Sequence, residues 1–144
     1  MIMKKLLLLL SLMLCFPQVG YSQEPTVKEL YQLKEMCGNQ TAKEFKKEYG
    51  NGYLNTQDSY TVHTYINHYN KRLNICLYQL HSDSFKNTPR KKIVSTTTLI
   101  DLTENISIAI LMDFTNSPLI CEVNGKSCST EQEWYDLVKP FMNE

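Results

Sequence analysis

The stretch "CEVNGKSC", residues 121 to 128, leaves the backbone few options. Asn124-Gly125 is the residue pair that a type I′ hairpin turn prefers, because both central positions need positive φ. With that turn, Val123 pairs with Lys126, Glu122 with Ser127 and Cys121 with Cys128. The two cysteines then lie on the same side of the ribbon. Opposed α-carbons in an antiparallel pair sit about 4.5–5.5 Å apart, which a disulfide accepts. A zinc clip needs two further ligands, and no histidine lies nearby in sequence. A redox pair wants CxxC spacing or a helix N-terminus. Cys128 does precede a helical stretch, so redox chemistry stays open beside the staple.

The first residues, "MIMKKLLLLLSLMLCFPQVGYSQ", have the layout of a secretory signal. Lys4 and Lys5 form the positive region, Leu6 to Phe16 the apolar run, and Gly20 and Ser22 the small residues of a cleavage site. Cleavage is expected after Ser22, leaving residues 23-144 as one domain that begins at Gln23. The bulky Leu12, Met13 and Leu14 disfavour lipidation at Cys15, since lipidation signals carry small residues there. Loss of Lys4 and Lys5 leaves 13 bases against 15 acids, a net charge of −2. That balance argues against nucleic acid, which calls for a basic stripe. The apolar run is short for a membrane span, and the longest later one is "IAILM", so no transmembrane segment is expected in the mature chain. The expected location is the periplasm or the cell exterior.

Four cysteines remain, Cys37, Cys76, Cys121 and Cys128, an even count that reads as disulfides in an exported chain. "TVKELYQLKEMCGNQTAKEFKKEYGNG" predicts one long helix. Thr26 and Glu29 have capping-box spacing. Leu30, Leu33, Cys37, Ala42, Phe45 and Tyr49 give the apolar stripe. Gly38 weakens the middle by about 1 kcal/mol relative to Ala and is a place where the helix can split. Gly50 and Gly52 close it. "YTVHTYINHY" and "LNICLYQLH" alternate and are rich in β-branched and aromatic residues, so both predict strands, with "YNKRLN" as their turn. "SDSFKNTPRKK" predicts a polar loop. Cys76 on its strand shares a face with Tyr78 and Leu80, and Cys37 lies on the helix stripe, so the two thiols point at one core and are expected to pair.

"STTTLIDLTENISIAILMDF" predicts a hairpin with a three-residue loop, Thr103 to Asn105. That register sets Leu102 against Ile106, Ile100 against Ile108 and Thr98 against Ile110, with Asp101 and Ser107 on the wet face. Asn105 takes the left-handed position. "STEQEWYDLVKPFMNE" predicts a short helix capped by Ser129 or Thr130, with Trp134, Leu137, Val138 and Phe141 on one face. Pro140 stops or kinks it. The expected fold class is α+β: a long N-terminal helix, an antiparallel meander of about four strands, a small disulfide-closed hairpin and a short C-terminal helix. Both helices are expected on one face of the meander.

Chemistry-bearing motifs are sparse. His63 and His68 are five apart, on opposite faces of a strand, so they do not converge on a metal, and no HExxH or CxxC pattern adds to them or to His81. No metal site and no cofactor is expected. Asp101, Asp113 and Glu122 are expected at turns and outer faces, solvated, and "PRKK" at 89 to 92 as a solvated tip. More informative is 61–69 as a strand. Val62, Thr64 and Ile66 suit a core. Thr61, His63, Tyr65, Asn67 and Tyr69 form the other face, whose composition is favoured at binding surfaces when open to water. A loop or the C-terminal helix covering that face is the alternative.

The segments "CGNQTAKEFKKEYGNG", "NHYNKRLNIC", "TLIDLTENISIAIL" and "CEVNGKSCSTEQEWYDLVKPFM" resemble a family of small secreted bacterial proteins with four cysteines and a Glu-Trp-x2-Leu-Val-Lys-Pro ending. The resemblance spans most of the mature chain. It implies bacterial export and a single domain, and it carries over no activity or site. Two functions are therefore expected in competition. One is a non-enzymatic module that binds a protein, peptide or envelope component, with His63, Tyr65, Asn67 and Tyr69 as the binding face. The other is a small hydrolase-like enzyme using His63 or His68 with a nearby carboxylate.

Overall fold

A computed structural model describes residues 24–143, so the expected leader and its cleavage site lie outside the described residues. The chain runs α1 (Val27–Tyr49), β1 (Tyr53–Asn55), β2 (Ser59–Asn70), β3 (Ile75–Lys86), β4 (Lys91–Asp101), β5 (Ile106–Phe114), β6 (Ile120–Val123), β7 (Lys126–Ser127) and α2 (Glu131–Met142). All strands join one antiparallel sheet in the order β1 to β7. The class is α+β as the sequence implies, but its arrangement differs in several places. The small hairpin β6–β7 is not separate, because β6 pairs with β5. The expected polar loop at 82–92 is mostly strand: Ser82 to Lys86 continue β3, and β4 starts at Lys91. The alternation Ser-Asp-Ser-Phe reads as polar, yet Thr61 and Ser84 hydroxyls bond across the ladder at 2.9 Å, so the polar residues pair across it.

The two helices lie on opposite faces of the sheet, not on one. The reason is in β3, where Cys76 and Leu77 are neighbours and so point to opposite sides. Cys76 meets α1 through Cys37, with Tyr69, Leu30 and Leu33 around the bond. Leu77 joins Leu99, Leu111, Cys121 and Val123 beneath Trp134 and Val138 of α2. Each face therefore has its own small core, and each core contains one disulfide: Cys37–Cys76 on one and Cys121–Cys128 on the other.

Helix α1 is continuous through Gly38. The capping box is complete: Glu29 N–H donates to Thr26 Oγ1, and Thr26 N–H to the Glu29 carboxylate at 2.7 Å. Its buried line follows steps of four, Cys37, Thr41, Phe45 and Tyr49, so Thr41 replaces the expected Ala42, which is exposed. The Thr41 hydroxyl is satisfied by donating to the Cys37 carbonyl at 2.9 Å. At the corner into β1, Gly52 has φ +79° and a Cβ there would lie 2.6 Å from the His63 carbonyl oxygen. Gly52 O in turn accepts from His63 N–H at 2.7 Å. Gly52→Ala should lower unfolding stability by about 1–3 kcal/mol and more than Gly50→Ala, where a Cβ meets nothing within 4 Å. Equal losses in denaturant unfolding would show that the corner is not tight.

The β4–β5 register matches the expectation from Val94 to Leu99, including Thr98 opposite Ile110. Near the turn it slips by one, to Ile100 opposite Ser107 and Asp101 opposite Ile106. The bulge is stabilised from both sides. Asp101, expected on the wet face, is only 5% exposed and accepts from Thr103 N–H at 2.7 Å. Ile108 O accepts from Asn124 N–H at 2.7 Å. Asn105 does take positive φ, and Asn124 (φ 49°) and Gly125 (φ 75°) do form the expected turn. Helix α2 is capped by Thr130 and runs through Pro140 to Met142. Its last carbonyls are satisfied from the end of β2 and the turn after it: buried Asn70 donates to Phe141 O at 2.7 Å, and Arg72 to Pro140 O at 3.2 Å.

Candidate functional site

Two rows of side chains on β2 decide where a ligand can be accepted. The row Thr61 to Tyr69 is largely covered, the second of the two sequence expectations, while Thr64 and Ile66 of the other row are open. Tyr69 is 7% exposed beside the Cys37–Cys76 bond, and its hydroxyl donates to Asn74 Oδ1 at 2.5 Å. Tyr65 lies against Phe45 of α1 with ring centroids 4.5 Å apart, and His63 against Tyr49 at 4.4 Å. Of the proposed binding face, Asn67 is exposed. The cover is α1, neither a loop nor the C-terminal helix. On the other side, Thr64 and Ile66, assigned to the core, are exposed. An alternating strand reveals which residues share a face but not which face a distant helix will choose.

The histidines are dispersed. His63 Nδ1 is 2.8 Å from the Ser82 hydroxyl, and burial under Tyr49 lowers its pKa. His68 is on the opposite face, as its spacing requires, and its Nε2 is buried without a partner. Neither has a carboxylate among its partners in the described residues. The histidine beside a carboxylate is His81, with Nε2 3.3 Å from Asp83 and Nδ1 2.9 Å from the Thr97 hydroxyl. Thr97 is buried, and Asp83 is already paired with Lys92 at 2.7 Å. Desolvation pushes the Asp83 pKa up, but the hydrogen bonds from Lys92, Ser95 and His81 outweigh it and hold the carboxyl below its ordinary value. That row is a cross-strand ladder whose hydroxyl is shielded from substrate. Among the described residues no group of His, Cys, Asp or Glu is placed to hold a metal. No helix among them is long and apolar enough to cross a membrane.

What the sequence did not single out is a cleft of about 480 Å³ between α1 and the sheet. One wall is the helix flank: Gln40, Glu44, Lys47, Glu48 and Tyr49. The other is Ile100, Leu102 and Asn105, and the Tyr78 ring closes the base. Helical spacing explains the wall, because residues 40, 44 and 48 form one line beside the buried line 37, 41, 45, 49. Tyr78 is 4% exposed and its hydroxyl has no hydrogen-bond partner. Burial raises its pKa, and the nearby Tyr49, Tyr65, Glu44 and Glu48 add to the rise, so the phenol stays neutral. Lys47 Nζ lies 3.4 Å from Glu44 and 2.9 Å from Glu48 on the rim. All three side chains are exposed, so these pairs are weak and exchangeable. The signal for this cleft in the sequence is the pair Glu44 and Glu48, four apart on a helix whose buried face is aromatic. Comparison with family models, with curated proteins and with solved structures gives no match.

Proposed function

We propose that the protein is an exported, non-enzymatic binding module of the periplasm or cell exterior. Its seat for a partner is the cleft between α1 and β3–β4. The partner presents an extended peptide segment with a basic side chain next to an apolar one. The observation that carries this reading is the cleft itself, with its carboxylate rim, aromatic base and apolar far wall. Glu44 and Glu48 outnumber Lys47, so the rim favours an incoming cation. The charged head of a Lys or Arg can approach the half-buried Tyr49 ring, where cation–π attraction adds about 0.5–1 kcal/mol. Ile100 and Leu102 offer the neighbouring side chain an apolar surface. Two disulfides in so small a domain are in keeping with an oxidising compartment.

The test is titration of the protein spanning residues 23–144 with a synthetic peptide in which one Lys is flanked by apolar residues. The same peptide with Glu in place of Lys serves as control. Binding of the Lys peptide is expected, and Glu44→Lys with Glu48→Lys should weaken it at least tenfold at unchanged melting temperature. Equal binding of both peptides, or binding indifferent to the two charge reversals, would overturn the cleft as the seat.

A further inference from the structure

Strand β2 is twelve residues long, but its outer neighbour β1 pairs only with Tyr60 to Val62. Beyond His63, whose N–H is taken by Gly52 O, the outer edge of β2 has no strand beside it among the described residues. Because His63 N–H points outward, strand alternation turns the N–H and C=O of Tyr65 and Asn67 outward as well. Proteins ordinarily guard such edges with Lys, Pro or a bulge. Here the whole strand, "SYTVHTYINHYN", contains no Lys, Arg, Asp, Glu or Pro. Ile66 at its centre is 53% exposed, and it borders a shallow groove lined by Tyr135, Val138 and Met142 of α2, with Tyr135 46% exposed.

We infer that this edge pairs with the same edge of a second copy of the chain, antiparallel about a two-fold axis through Ile66, joining two sheets into one. The register follows from the residues. With Ile66 opposite Ile66, Tyr65 faces Asn67 of the second copy and Asn67 faces its Tyr65. Each such pair exchanges both of its outward N–H···O bonds, and the ladder ends where His63 falls opposite Tyr69 of the second copy, because the His63 N–H already goes to Gly52 O. Centring on Tyr65 would oppose His63 to Asn67 and compete with that bond. Centring on Asn67 would set Ile66 against His68 of the second copy instead of against itself. The chosen register sets the strand's one large exposed apolar side chain against itself, beside Tyr135 of each copy. A neutral, self-complementary edge fits its own copy better than a charged partner.

The register can be read covalently. Opposed non-hydrogen-bonded residues approach to about 4.5 Å between α-carbons, so Ile66→Cys should form a disulfide-linked dimer rapidly on mild oxidation, whereas Tyr65→Cys, opposed to Asn67, should not. Wild type should sediment as a concentration-dependent dimer in the micromolar to millimolar range. Ile66→Lys and Asn67→Pro should each leave a monomer at unchanged helix and sheet content, since Asn67 N–H faces outward and takes no part in the β2–β3 ladder. A wild-type monomer throughout that range overturns the inference. So does a dimer that survives both variants, or one in which Tyr65→Cys cross-links as readily as Ile66→Cys. Because the peptide-binding cleft is on the far side of α1, a monomeric variant that still binds the Lys peptide separates failure of this inference from failure of the binding reading.

Discussion

A chain carrying Cys37→Ala and Cys76→Ala should unfold with about 4 kcal/mol less stability than wild type, by the loop-entropy treatment for a separation of 39 residues. The bond joins α1 to β3, and α1 reaches the sheet otherwise mainly through Thr41, Phe45 and Tyr49. Its core is small, with Tyr69, Leu30, Leu33 and Leu102 around the sulfurs, so few apolar contacts remain to replace it. The same change at Cys121 and Cys128, separated by 7, should cost about 2–3 kcal/mol. Its hairpin is also held by the Asn124-Gly125 turn and by the Cys128 N–H bond to Cys121 O at 3.0 Å. Denaturant unfolding of both pairs should give that order. A larger loss at the second pair would mean that α1 docks without its clamp.

Trp134→Ala should cost about 3–5 kcal/mol, the range for deleting a fully buried indole. Trp134 has no exposed surface and belongs to a core cluster that draws on β3, β4, β5 and β6, so its removal leaves a cavity among them. Trp134→Phe should cost far less. It keeps most of the apolar volume and removes an indole N–H that is buried without a partner, a group that opposes folding by about 1–3 kcal/mol. Midpoints of unfolding for the two variants measure the difference. Similar losses would show that the indole N–H, through a bound water, is a net stabiliser.

Caps, turns and both disulfides were legible in the sequence, and most tertiary placement was not. Thr26 and Glu29, Asn124-Gly125 and Thr130 announce their structures because capping and turn geometry depend on residues a few positions apart. The pairing of Cys37 with Cys76 was legible because both sit on faces whose periodicity is plain. The side of the sheet chosen by each helix was not. Strand β3 is buried on both faces at Cys76, Leu77 and Tyr78, so its residues suit either neighbour. The ends of β3 and β4 were missed because Ser, Asp and Lys there pair across the ladder, and composition alone reads them as loop. Asp101 was misplaced because its face of β4, opposite Leu77 and shared with Leu99, is the one that the α2-side core covers, which alternation alone does not reveal. The cleft was hidden for the same reason: Glu44 and Glu48 are ordinary solvated acids until α1 is laid beside Tyr78 and Ile100.

The binding reading is tested most directly by following backbone amide resonances while the Lys peptide is added. The largest shifts are expected at Gln40, Glu44, Glu48, Tyr78, Ile100 and Leu102, with none at Thr97 or Asp113 across the sheet, and they should vanish with the Glu peptide. Shifts centred instead on His81, Asp83 and Thr97, or no shifts at any peptide concentration, would contradict it.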